Sequence, residues 1–218
     1  MKDERGALLL QLERFAAAEE ASLTVAGWLA ITAAIITIPM LVAGIALEIV
    51  ARAAPALTPI LMLVYTIVVL CHTGFSVYAF LRFRTMLNTR HRFHDVDALV
   101  TAIVFGVILL TLFMIPAKAL GLIYAKDNLP VVITALVVMV FFALTMSVLS
   151  IIFAIRLLRL ESNLNGFLKP YAWITIAAAA CFALFITAPL GLLLDAAGNI
   201  ILGLILIKPP AEPVPEFV

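Results

Sequence analysis

The sequence predicts an all-α, polytopic membrane protein: a bundle of six membrane helices, the sixth short, built from two-helix repeats and preceded by an N-terminal amphipathic helix. Three observations predict it. Of 218 residues, 65% are hydrophobic and 12% charged, against roughly half and a quarter in soluble domains. The mean hydropathy is +1.21. Charges sit in short stretches between apolar runs long enough to cross about 30 Å of hydrocarbon at about 1.5 Å per helical residue. Finally, Thr24, Ile38, Pro39, Gly44, Leu81, Arg82, Leu87 and Asn88 recur 77 positions later as Thr101, Ile115, Pro116, Gly121, Leu158, Arg159, Leu164 and Asn165.

Residues 1–21 are read as an amphipathic helix lying in the membrane interface or in the cytosol. Leu8, Leu12 and Phe15 recur at helical spacing among Asp3, Glu4, Glu13, Glu19, Lys2, Arg5 and Arg14, which gives one apolar face. The mixed charges and missing apolar core exclude a signal peptide. The bundle occupies residues 22–208, with repeats at about 24–88, 101–165 and 174–208. Apolar runs place the first four helices near 24–50, 57–83, 98–124 and 130–160. Pro130 suits the first turn of the fourth, and Asp95 or Asp97 suits the cap of the third.

The stretch 170–207 is too long for one helix and short for two. At an offset of 150, Ala30, Ala33, Ile36, Thr37 and Pro39 match Ala180, Ala183, Ile186, Thr187 and Pro189. The fifth helix is therefore read as a third copy of the odd-numbered helix. Asp195–Asn199 becomes the turn, because Gly and Asn terminate helices well, and Ile200–Ile207 opens a shortened sixth helix. The alternative is a full sixth span from about Pro189, which would put Asp195 inside the membrane. The short sixth helix is preferred, and whether 196–207 spans the membrane is left open by its length. Residues 209–218 form a proline-rich tail.

Orientation follows from the basic residues. With the N-terminus cytoplasmic, Lys2, Arg5, Arg14, Arg82, Arg84, Arg90, Arg92, Arg156, Arg159 and Lys169 lie inside, and Arg52, Lys118 and Lys126 outside. That asymmetry is the positive-inside pattern, and the expected location is a prokaryotic cell membrane. Arg82, Arg84, Arg90, Arg92, Arg156 and Arg159 are the expected contacts to anionic headgroups. Prolines at 39, 116 and 189 predict equivalent kinks, with Gly44 and Gly121 allowing close helix approach.

The layout resembles that of the mitochondrial carriers, which also have three two-helix repeats and prolines in their odd helices. Their charged motif after the proline is missing: Met-Leu-Val-Ala-Gly follows Pro39 and Ala-Lys-Ala-Leu-Gly follows Pro116. The likeness is therefore read as convergent and assigns no family.

Candidate chemistry is sparse. His72 is the one histidine inside a span. It is either a functional group, as a ligand to a haem or chlorophyll-type pigment or as a proton relay, or a neutral imidazole bonded to a hydroxyl or carbonyl on a neighbouring helix. His91, His94, Asp95 and Asp97 could assemble a metal shell, but Arg90 and Arg92 oppose a cation there, and a loop that caps a helix fits better. Glu48, Asp195, Lys118 and Lys126 are placed near the outer helix ends, as a charge network, a vestibule lining or exposed interfacial pairs. Met139, Phe141, Phe142 and Met146 read as packing or lipid-facing groups. Cys71 and Cys181 read as isolated apolar thiols. No GxSxG, Gly-rich phosphate loop or paired carboxylates support an enzyme. A net charge of +1 excludes the basic footprint of a nucleic-acid binder.

Three functions remain. A structural or accessory subunit, meeting membrane-protein partners or copies of itself, ranks first. A carrier or channel for a neutral or lipophilic solute follows closely, and would be excluded by a side-chain-filled centre. Haem or pigment binding through His72 comes third.

Overall fold

A computed structural model gives the fold and describes residues 2–124, 129–160, 164–184 and 186–208. Among these residues there are six helices and no strands: α1 (Lys2–Ala53), α2 (Thr58–His91), α3 (Asp97–Tyr124), α4 (Leu129–Leu157), α5 (Leu168–Ala183) and α6 (Ala188–Ile207). All but α5 are long and apolar enough to cross a membrane. The 16 residues of α5 extend only about 24 Å. Large apolar side chains such as Ile35, Ile49, Ile67, Phe105, Phe141 and Trp173 face outward, as lipid requires. The chain is a multi-pass membrane protein.

The N-terminal segment is helical, and it continues into the first span without a break. No proline interrupts the run before Pro39. The Ser22 hydroxyl donates to the Glu19 carbonyl at 2.7 Å, and Thr89 of α2 donates to the Glu19 carboxylate at 3.3 Å. The junction is thus held against the end of α2. Phe15 is exposed; the side chains of Leu8 and Leu12 lie outside the described residues, as do Lys126 and the tail 209–218.

The last hairpin departs from expectation. The chain turns between Ala183 and Ala188, so α5 is the short helix and α6 the full-length one. Pro189 sits in the first turn of α6, where a missing N–H costs no hydrogen bond. The Thr187 hydroxyl donates back to the Cys181 carbonyl at 2.9 Å, satisfying one of the acceptors that α5 leaves open. Asp195-Ala-Ala-Gly198-Asn199 is continuous helix. Gly and Asn do not stop a helix whose neighbours bury it, and Gly198 is itself buried.

The six helices form a closed ring. Each packs on its sequence neighbours, and α1 returns to pack on α6. Closure uses small residues: Ala26, Ala30, Ala33, Ala34 and Thr37 are buried on one stripe of α1. Gly27 and Gly203 meet at the crossing of α1 and α6. A Cβ on Gly203 would lie 2.7 Å from the Gly27 carbonyl, and one on Gly27 would lie 2.7 Å from the Gly203 carbonyl. This is the close backbone approach that small residues permit in membranes. Gly44 is looser, with a Cβ there 3.5 Å from the Tyr65 ring.

The repeat is visible but imperfect. Pro39 and Pro116 both lie inside odd helices, whereas Pro189 opens an even one. Leu87 and Asn88 continue α2, yet their counterparts Leu164 and Asn165 follow the end of α4 with φ of 40° and 58°. Both leucines are nevertheless buried.

One end of the ring carries Arg82, Arg84, Arg156, Arg159 and Lys169, and is called here the basic end. At this end the ring is filled. Phe83, Met86, Leu87, Phe153, Leu157 and Leu206 are fully buried in one cluster that also takes in Val96 and Leu164 from the connecting loops. Phe80 packs edge-on against Phe153, and Phe83 edge-on against Tyr171.

Candidate functional site

Beyond this plug the ring is hollow. A cavity of about 480 Å³ occupies its interior, and all six helices contribute to the wall. The floor is the plug itself: Phe80, Ile103, Phe153, Tyr171 and Leu202 belong to both. The walls are largely apolar, with hydroxyls set at intervals by Thr73, Ser76, Thr111, Ser147, Ser150 and Thr175. A concave, largely apolar space with a few polar groups is the usual form of a small-molecule site.

Several of these groups are already satisfied. Thr73 and Thr111 share a hydrogen bond at 3.1 Å across α2 and α3. The Thr175 hydroxyl donates to the Tyr171 carbonyl. The Ser76 hydroxyl is buried and has no partner, an uncommon state for a polar atom away from water.

His72 lies on the wall, midway along α2. Thr37 of α1 donates its hydroxyl to the Ala33 carbonyl at 3.1 Å and stands 3.2 Å from His72 Nε2. Both contacts are satisfied when Nε2 carries the proton and donates to Thr37. Nδ1 then remains an acceptor with no partner among the described residues. This is the neutral, hydroxyl-bonded histidine of the second sequence reading. A haem or pigment ligated through Nε2 would have to displace Thr37.

Asp195 and Asn199 bring the strongest polar feature; the sequence reading prefers a turn there, and the structure instead has the continuous helix of its alternative, a full span from about Pro189. They lie on one face of α6, inside the cavity. The Asn199 amide donates to Asp195 Oδ2 at 3.2 Å. Oδ1 has no hydrogen-bond partner among the described residues. Asp195 is the one acid on the cavity wall, and no Lys or Arg joins it there. The signal in the sequence was Pro189: read as a first-turn proline, it sets a span that places Asp195 at membrane depth.

The expected outer network is only half formed. Lys118 Nζ stands 3.6 Å from Glu48, donates to the Gly44 carbonyl at 3.3 Å, and lies 4.7 Å from the centre of the Tyr65 ring. Asp195 takes no part in it. These residues line a vestibule of about 210 Å³ that shares Met40, Tyr65 and Leu192 with the cavity. The vestibule marks the approach from the end opposite the plug.

At the basic end, Asp97 opens α3 and gathers donors. Arg84 Nε reaches its Oδ1 at 2.7 Å, Asn88 donates to both oxygens, and His94 Nδ1 is 3.2 Å from Oδ2. Arg156 donates to the Asp95 carbonyl at 2.7 Å. The α2–α3 loop is thereby clamped to both neighbouring helices. His91 and Asp95 do not join His94 and Asp97, and no group of three metal-ligating side chains occurs among the described residues. Of the six candidate headgroup arginines, Arg84 and Arg156 are engaged in these contacts and Arg82 donates to the Tyr78 hydroxyl at 3.3 Å. Arg92 and Arg159 are exposed, while Arg90 Nε is buried without a partner.

Met146 lines the cavity and Ser147 beside it is buried, whereas Phe141 is lipid-exposed. Cys71 is exposed on the outside of the ring and Cys181 is partly buried. No protein-family model, curated protein or solved structure matches the chain, so the cavity's own geometry carries its interpretation.

Proposed function

We propose that this protein is a non-enzymatic membrane carrier that binds a small, weakly polar or lipophilic molecule inside its helix ring. The observation that carries this reading is the cavity shared by all six helices. A protein serving only as scaffold has no need of a hollow centre, because in lipid the helices are held by close packing. The side-chain-filled centre that would have excluded a carrier is confined to the basic end. The plug closes one side and the vestibule adjoins the other, the arrangement of a site accessible from one side at a time.

In this reading the basic end faces the cytoplasm, following the positive-inside asymmetry, and the N-terminus is cytoplasmic in a prokaryotic cell membrane. Arg92 and Arg159 then meet anionic headgroups. The solute enters from the outer side past Lys118 and Tyr65, and release inward requires the plug to part.

The test is native mass spectrometry of the protein in lipid nanodiscs. The unaltered chain should retain a small molecule, and Val107→Trp, which fills the cavity from α3, should lose it while remaining a folded, monodisperse protein. Equal retention by both would remove the cavity from the account. The accessory-subunit reading makes a different prediction: a stoichiometric protein partner retained in mild detergent, independent of Val107→Trp.

A further inference from the structure

We infer that the molecule held in this cavity is a lipophilic cation, specifically a protonated amine on an apolar body, with Asp195 as its counter-ion. The inference rests on the proposed binding role and names its chemistry. Asp195 stands on the wall with one oxygen held by Asn199 and the other unpaired among the described residues. No Lys or Arg lines the cavity to neutralise it. A carboxylate in a low-dielectric space is costly unless paired. A ligand that brings its own positive charge supplies the missing partner, in surroundings where opposite charges attract far more strongly than in water.

The rest of the wall suits the same ligand. Phe80, Phe153, Tyr171 and Phe182 offer aromatic faces, which attract cations. Aliphatic side chains receive the hydrocarbon body. His72 Nδ1 and Ser76 Oγ, both without partners among the described residues, can accept further N–H bonds. A metal cation fits less well. Divalent ions call for six or more oxygens and usually several carboxylates, and this wall provides one. At the entrance the Lys118 ammonium lies against Glu48 and Tyr65, so its charge is partly offset on the ligand's path.

The experiment compares two probes of matched shape, 1-naphthylmethylamine and the neutral 1-naphthylmethanol, titrated into the protein in nanodiscs at pH 7.5. The native chain should bind the amine at least tenfold more tightly than the alcohol. Asp195→Asn keeps the side-chain volume and removes the charge. It should abolish that preference while leaving alcohol binding within about twofold. Equal affinity of the native chain for the two probes overturns the inference but leaves the carrier reading intact. Binding of neither probe, with no retained small molecule by native mass spectrometry, overturns both. Stabilisation by NaCl alone that is lost in Asp195→Asn, without amine preference, assigns Asp195 to a metal cation and overturns the amine assignment. The native-chain comparison needs no variant, so misfolding of Asp195→Asn would not shield the inference.

Discussion

At the basic end of the ring, Phe83, Leu87, Phe153, Leu157 and Leu206 leave no space between the helices. About 12–15 Å further along α4 and α6, Ala143, Ser147 and Gly198, with Thr111 of α3, line a void. Hydropathy does not distinguish the two halves, since both are drawn from the same apolar runs. Side-chain size does. Large residues fill the plug, while the hollow half intersperses Thr73, Ser76, Thr111, Ala143, Ser147 and Gly198 among larger residues such as Met114 and Met146. The loops sharpen the difference, because Val96 and Leu164 drop into the plug and Arg84, Asn88 and Arg156 fasten the α2–α3 connection over it.

This comparison orders the expected effects of mutation. The largest is Gly203→Ala. Its new methyl would lie 2.6 Å from Ile31 and 2.7 Å from the Gly27 carbonyl, so α1 and α6 must separate and the ring opens. A cost of about 3 kcal/mol is expected, at the high end for overpacking, read as loss of monodisperse protein or a large fall in thermal stability. A tolerated alanine would mean that ring closure is looser than described.

Next comes Phe153→Ala in the plug. Lipid is as apolar as the core, so the transfer part of the usual penalty largely disappears and lost packing remains. About 2 kcal/mol is expected, below the range for soluble cores, measured by reversible unfolding in mixed micelles. Asp97→Ala follows, at about 1 kcal/mol. It leaves Arg84 and Asn88 without their acceptor, but the ion pair is partly exposed, with side-chain accessibilities of 34% and 26%. Added salt should narrow the gap to the native chain. Thr73→Val is the smallest: it removes one interhelical hydroxyl bond in the hollow half, at about 0.6 kcal/mol by the mean for membrane proteins. A Thr73→Val effect equal to that of Phe153→Ala would erase the contrast between the halves.

The sequence made the class and most spans legible. The first four apolar runs fall on α1 to α4, the second starting one residue before α2 and the fourth running three residues past α4, and Pro130 lies in the first turn of α4. The two-residue mistake of principle was at the C-terminal end, where Gly198 and Asn199 were read by the rules of water-exposed helix ends. In a membrane bundle a glycine is as often a packing residue, and Gly198 is buried in α6. Preferring the turn over a full span from Pro189 also moves Asp195 out of the membrane. The cavity was illegible for another reason. Its wall draws on all six helices, from Met40 alone on α1 to Leu202 on α6, and no local pattern marks a residue as facing an empty axis rather than a full one. His72 was legible as a polar group at membrane depth, but its partner Thr37 lies on another helix and emerged only from the packing of α1 on α2.

The most direct test places the same large side chain in each half of one helix. Ala143 lines the cavity, and Ala154, about three turns along on the same face of α4, is fully buried in the plug. Ala143→Phe should fold with a thermal midpoint near that of the native chain, because space exists for the ring. Ala154→Phe should lose about 3 kcal/mol, as much as Gly203→Ala, because it overpacks a filled core. Equal destabilisation by the two substitutions would contradict the division of the ring into a plugged and a hollow half.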